Sequence, residues 1–243
     1  MVEFETFVYL DLQKTGSSFI LRLLENFAAE KQLRAKRHAG LGADYDAAKF
    51  HFITVRDPLD AYLSLYSFGC QSEGKLRAAM DEGELDQFYD GTLAGFGAWL
   101  GFVLKPCNAR LLGGGYARAA DGALAGLVGL QSYRYLRLAL PDAAAVLARC
   151  RTRQDIRDAH AARKLPAFVI RHESFTADLC EVLRGRLSHA LGDVDAALRF
   201  VETADPVNAS RRIDAGRADF VLDDALSRKL RRREWLLHEL FGY

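Results

Sequence analysis

Lys14, Thr15, Gly16, Ser17 and Ser18 stand together in the stretch YLDLQKTGSSFILRLLENF, Tyr9–Phe27. An apolar run ends in this polar turn, and a segment of helical apolar period follows it. Gly16 permits close backbone approach, Thr15, Ser17 and Ser18 carry hydroxyls, and Lys14 adds a mobile positive charge. At a helix N-terminus, where backbone N–H groups point outward, such a set suits a tetrahedral oxyanion. The nucleoside-triphosphate pattern G-x-x-x-x-G-K-[ST] is not met. No Gly precedes the turn at that spacing, and the Lys stands before the Gly instead of after it. Taken alone, the turn is also what an ordinary Gly/Ser helix cap looks like.

A second stretch, FITVRDPLDAYLSLYSFG, places Arg56 at the end of a buried run and Ser64 eight residues later. An Arg at a strand end needs a partner for its charge. That partner is either an anion shared with Ser64 on the next helix, or Asp57 or Asp60 in a structural ion pair.

Both stretches need strands and helices to hold them. Phe4–Leu12, Lys49–Val55 and Pro166–Glu173 read as buried strands. Helical period runs from Gly16 to about Glu30, over Asp60–Phe68 with Pro58 opening it, and over Glu84–Leu104 with breaks at Gly91, Gly95 and Gly97. It returns over Asp142–Ala162, Ser174–Leu191, Asp193–Val201 and Asp223–Phe241, where Asp223 and Asp224 suit the helix dipole. The stretch from Gln71 to Leu140 has a less regular pattern, and Glu202–Phe220 reads as a long polar loop. Strands alternating with helices imply one α/β domain with a parallel sheet covered on both faces.

Composition narrows the setting. The 243 residues are 50% hydrophobic and 27% charged, which supports a sizeable core and excludes a disordered chain. A net charge of +1 gives no global reason to expect nucleic acid. Cys70, Cys107, Cys150 and Cys180 are scattered without a C-x-x-C pair, so reduced thiols are expected. The opening MVEFETFVYL has acids where a signal peptide has bases, and no apolar run reaches about 18 residues. A cytoplasmic protein with no membrane span is expected, and the abundance of Ala, Leu, Arg and Gly points to a bacterial source.

Together, QKTGSS and RDPLDAYLS resemble the sulfotransferases that use 3′-phosphoadenosine-5′-phosphosulfate (PAPS). Order, spacing and strand context agree over residues 5–68. FVIRHESFTADL, VNASRR and the closing LFGY carry weaker similarity, closest to bacterial and carbohydrate sulfotransferases. The resemblance implies a single domain over residues 1–243, a three-layer α/β/α fold like that of P-loop NTPases. Within it, residues 71–165 form a helical acceptor-binding insertion. It implies that Lys14, Thr15, Gly16, Ser17 and Ser18 hold the phosphosulfate, and that Arg56 and Ser64 hold the 3′-phosphate. Arg211 and Arg212 then close over that phosphate, unless they are a solvated basic turn. The acceptor is a hydroxyl of a sugar, glycolipid or small alcohol, and adenosine 3′,5′-bisphosphate is the product. A sulfuryl group carries less charge than a phosphoryl group, so no metal is required.

Lys14 is the candidate to meet charge on the leaving oxygen. His38, between the two motifs, is chosen as general base because imidazole titrates near working pH. A plain loop histidine is the alternative. His172, Glu25, Glu30 and Glu173 are the other candidates, with Glu173 better suited to a cap or an ion pair. Asp11 stands where many glycan-modifying relatives have His, which leaves its role open. His51 suits the core, and His160, His189 and His238 suit surface or packing roles. Trp99, Tyr116, Tyr133 and Tyr135 are either core residues or a platform for a sugar ring. Ser227–Trp235, SRKLRRREW, reads as the wet face of the last helix. A small-metabolite kinase and a non-catalytic binder of nucleotide or anionic glycan are the competing readings.

Overall fold

A computed structural model describes residues 1–71, 74, 76–113, 115–204 and 222–243. The chain begins with β1 (Val2–Glu3), β2 (Phe7–Leu10), α1 (Ser17–Phe27), β3 (Arg34–Ala35) and β4 (Phe50–Val55). There follow α2 (Pro58–Cys70), α3 (Glu82–Phe88), α4 (Leu93–Val103), α5 (Leu124–Leu127), α6 (Leu130–Ala139), α7 (Ala143–Leu147) and α8 (Arg153–Arg163). β5 (Phe168–Arg171), α9 (Phe175–Gly185), α10 (Val194–Thr203), α11 (Asp224–Arg233) and α12 (Trp235–Phe241) complete the order.

The fold is α/β, built on a mixed five-stranded sheet in the order β3-β1-β2-β4-β5. β2, β4 and β5 are parallel, in the register Tyr9 with Phe52 and Phe52 with Phe168. The expected all-parallel sheet is corrected at one edge, where β1 runs antiparallel to both β2 and β3. The cause is local. Only Phe4–Thr6 separates β1 from β2, and a link that short turns the chain back beside itself. β3 lies inside the basic segment after α1, where Arg34 donates to Glu3 at 3.0 Å. Two charged or small residues carry no alternation by which a strand is read.

The chain forms two compact units. One contains Met1–Arg56, Arg134–Val146 and the chain from Asp158 through α10, and it holds the whole sheet. Phe7, Tyr9, Phe52 and Ile170 alternate onto one sheet face and pack in a core with Ile20 and Leu23 of α1, Leu183 of α9 and Ala197 of α10. Val8, Leu10, Ile53 and Val55 on the opposite face are buried too, which explains why these strands read as unbroken apolar runs.

The other unit contains Asp57–Tyr133, Leu147–Arg157 and the described C-terminal residues, and it is helical. Tyr66 stacks on Tyr89 at 5.5 Å, and Trp99 donates its indole N–H to the Tyr89 hydroxyl at 2.9 Å. The expected helical stretch Glu84–Leu104 divides into α3 and α4 at Gly91, as its first expected break has it, while Gly95 and Gly97 lie inside α4 without interrupting it. Thr92 caps the second by accepting from Gly95 N, and Gly91 supplies the left-handed turn before it. The Asp142–Ala162 helix divides likewise into α7 and α8. There Thr152 and Asp155 exchange hydrogen bonds as a capping box.

At the C-terminus, the expected single helix breaks at Glu234. Its carboxylate is fully buried and accepts from Tyr62 Oη at 2.5 Å, Ser132 N at 2.8 Å, Ser132 Oγ at 2.7 Å and Gln131 N at 3.2 Å. Arg233 is also buried and donates to the carbonyls of Ala125, Gly126 and Val128 and to Tyr116 Oη. SRKLRRREW is thus not uniformly a wet face: Arg231 and Arg232 are exposed, while the next two residues form a buried polar clamp.

Cys150 and Cys180 are buried, Cys70 is half-buried, Cys107 is exposed, and none is in a disulfide. No helix among the described residues is long and apolar enough to cross a membrane.

Candidate anion cradle and its neighbours

β2 is wholly buried and ends at Leu10, and the turn to α1 occupies the next six residues. Lys14 has φ 65° and Gly16 has φ 88°, so two left-handed residues sit two apart in the turn. Among the described residues, only Lys14, His38 and Asp142 are non-glycine residues with positive φ. Each such residue costs on the order of 1 kcal/mol, and that cost persists only where the surroundings hold it. Gly16 is the N-cap of α1 and provides no side-chain cap. The first-turn amides of α1 therefore have no capping hydroxyl from that position. This alternation of backbone conformations gathers N–H groups into a concave, anion-favouring shape.

Thr15 holds the turn together from inside. Its buried Oγ1 donates to Leu12 O at 2.8 Å and lies 2.6 Å from Thr54 Oγ1, which lies 2.8 Å from Tyr9 Oη. A carbonyl only accepts, so the protons run in one sense, from Tyr9 through Thr54 and Thr15 to Leu12 O. Burial pushes the Tyr9 phenol well above its ordinary range, so it stays a donor. The Thr15 hydroxyl is thereby committed to the protein, and what Thr15 offers a ligand is its backbone amide. Ser17 is buried and its Oγ lies 3.4 Å from Arg37 Nη2, while Ser18 is half-buried on the first turn of α1.

Arg56 follows directly on β4. Because β4 is parallel to β2, both strands deliver their C-terminal ends to the same sheet edge. Arg56 is buried, and its Nη1 donates to Lys14 O at 3.4 Å. The two residues singled out from separate motifs therefore meet. Ser64 is half-buried on α2, in the helical unit. Asp57 is the N-cap of that helix, accepting from Leu59 N at 2.8 Å and Asp60 N at 3.2 Å. Arg211 and Arg212 lie outside the described residues.

His38 stands three residues after β3 with φ 56°. Its backbone N–H donates to Asp11 Oδ1 at 2.8 Å, and Arg137 Nη2 donates to its carbonyl at 2.5 Å. Its Nδ1 lies 2.9 Å from Asp11 O and 3.4 Å from Asp11 Oδ2. Burial lowers the His38 pKa, and the hydrogen bond and charge of Asp11 oppose that. The neutral ring is therefore the resting form near neutral pH.

Asp11 is fully buried at the mouth of the turn and is met by Arg37 Nε at 2.8 Å and Met1 N at 2.5 Å. The sequence left its role open. The signal was available in an acid at the end of a buried strand, which needs cationic or N–H partners that the following basic segment supplies.

The other candidates are placed elsewhere. Glu30 accepts from Thr6 N and Thr6 Oγ1, and Glu25 is exposed near the far end of α1. Glu173 is exposed in a single 3-10 turn with His172, and the N-cap of the following α9 is Ser174, whose Oγ, like Arg171 N, donates to Asp178 inside that helix. His51 is buried, as expected of a core residue. His160 is buried against Tyr135, with Nε2 2.9 Å from its hydroxyl. His189 meets Thr6, and His238 meets Tyr243 O. Trp99, Tyr116, Tyr133 and Tyr135 are all buried, so they serve as core and offer no open face to a sugar. In comparisons with known proteins, no family model matches the chain, and no curated protein or solved structure is significantly similar to it.

Proposed function

We propose that this chain is a sulfotransferase. It moves a sulfuryl group from PAPS to an acceptor hydroxyl, on a carbohydrate or glycoconjugate. The observation that carries the reading is the meeting of Arg56 with the carbonyl of Lys14, within a turn whose backbone is left-handed at both Lys14 and Gly16. The parallel pair β2 and β4 brings the Lys14 turn and Arg56 to one end of the sheet, which suits an anionic donor.

In this reading the amides of Thr15, Gly16, Ser17 and Ser18 hold the 5′-phosphate, and the Arg56 guanidinium serves the 3′-phosphate. Ser64's part rests on the resemblance alone, as do the three-layer arrangement and the acceptor role of residues 71–165. The acceptor oxygen attacks sulfur in line as the bond from sulfur to the bridging phosphate oxygen breaks. The Lys14 ammonium meets the negative charge growing on that oxygen. His38 Nε2 takes the acceptor's proton, since its Nδ1 proton is engaged by Asp11 O. The products are a sulfate ester and adenosine 3′,5′-bisphosphate.

Two measurements test this. Adenosine 3′,5′-bisphosphate should raise the melting temperature, and ATP with magnesium should not. Lys14→Ala should abolish transfer of labelled sulfate to a panel of alcohols and sugars while keeping most bisphosphate affinity. Ala is no more strained than Lys at φ 65°, so the turn survives. Stabilisation by ATP–magnesium alone would replace the reading with a kinase. Bisphosphate binding with no transfer to any acceptor would replace it with a non-catalytic binder.

A further inference from the structure

We infer that Asp11 is a positioning residue for His38: it holds the imidazole with Nδ1 inward and Nε2 as the proton acceptor, and its carboxylate supports the imidazolium once a proton is taken, under the opposing influence of Arg37. This rests on the reading above, in which His38 is the base.

The geometry is a two-sided grip. Asp11 Oδ1 takes the backbone N–H of His38 at 2.8 Å, while Asp11 O lies 2.9 Å from the ring Nδ1. A carbonyl oxygen only accepts, so the Nδ1 position carries the proton and the Nε2 lone pair is left for chemistry. Asp11 Oδ2 lies 3.4 Å from the same Nδ1, near enough to support the positive charge that both ring nitrogens share once Nε2 takes a proton. The left-handed backbone of His38 is kept by this grip and by Arg137 on its carbonyl.

Arg37 gives the arrangement its second control. Its Nε sits 2.8 Å from Asp11 Oδ2, the oxygen that faces the ring, and its Nη2 lies 3.4 Å from Ser17 Oγ in the cradle. The guanidinium therefore draws on the carboxylate charge that would otherwise act on His38. The charged groups around the ring are Asp11, Arg37, Arg137 and the Met1 nitrogen at 2.5 Å from Asp11 Oδ1. Asp11 raises the tendency of His38 to bind a proton, and Arg37 lowers it.

Opposite charges at one oxygen give opposite signs in two variants. The test is nuclear magnetic resonance of ring-labelled histidine, with His38→Gln identifying the His38 signals. The wild type should show the neutral Nδ1–H tautomer. Asp11→Asn should move the His38 titration to lower pH, and Arg37→Gln should move it to higher pH. In turnover, Asp11→Asn should cut kcat on the order of tenfold to a hundredfold, less than loss of the base itself. The donor KM should stay within about threefold, because the cradle amides are untouched. Arg37→Gln should shift the acid limb of the kcat profile upward.

A wild-type Nε2–H tautomer, or titrations that move the same way in both variants, overturns the inference. Should Asp11→Asn not fold, the wild-type tautomer and Arg37→Gln decide, since the Arg37 side chain is half exposed and its removal leaves the core intact. Failure of the sulfotransferase reading would show separately, as absent bisphosphate binding, while the resonance measurements still decide how Asp11 acts on His38.

Discussion

Gly16→Ala probes the cradle by a route that is worked from the coordinates. Gly16 has φ 88°, and a Cβ placed on it would lie 2.9 Å from Cε2 and 3.4 Å from Cζ of Phe175. The backbone cost of a left-handed Ala is about 1–2 kcal/mol. Moving the Phe175 ring adds about 1–2 kcal/mol, because the ring packs edge-on to Phe19 at 5.7 Å and has little slack. The sum is roughly 2–4 kcal/mol, which for a chain of this size lowers Tm by roughly 5–15 °C. Calorimetry and urea unfolding measure it. Phe175→Leu in the same background removes the ring edge and should restore about 1 kcal/mol, the steric part only, as a coupling energy in a double-mutant cycle. The variant should also weaken adenosine 3′,5′-bisphosphate binding, since the cradle amides shift with residue 16. A Gly16→Ala protein with wild-type Tm and no coupling to Phe175 would refute the account of the turn.

Gly129→Ala should be severely destabilising, because its Cβ would fall 2.0 Å from Glu234 Oε1 and expel a carboxylate that Tyr62 and Ser132 depend on. A loss on the order of 3 kcal/mol or more is expected in urea unfolding, and Glu234→Ala should match it within the error of that measurement. His160 makes stability depend on pH. Burial, with the charge of Lys164, pushes its pKa down from 6.5 to about 4. Between those values the unfolded chain binds a proton that the folded chain refuses, so stability is whole above pH 6.5 and declines as pH falls toward 4. His160→Gln should flatten the difference in unfolding free energy between pH 7 and pH 5 relative to wild type. An unchanged difference would show that the buried ring takes its proton without cost.

The local units were legible before any coordinates. β2, the turn and α1 follow from an apolar run, a Gly and a helical period, and β4 running into Pro58 follows the same way, because these signals act within a few residues. Asp57, read as an ion-pair partner for Arg56, and Asp223, read through the helix dipole, both cap the helices they precede. The break at Gly91 was legible from the Gly itself, but the one at Glu234 was not, since Asp223–Phe241 keeps an apolar period across it. There the decision lay with the burial of the Glu234 carboxylate.

What the sequence determined, then, was which residues lie in the turn and at the strand end, Lys14 through Ser18 and Arg56. Tertiary structure alone decided that Arg56 reaches Lys14, that the Thr15 hydroxyl turns inward to Thr54, and that Asp11 grips His38 across more than twenty intervening residues. Helical period and capping are written in neighbouring side chains. The partner of a buried charge is set by which strands pair and in what register, and that depends on the packing of the whole sheet.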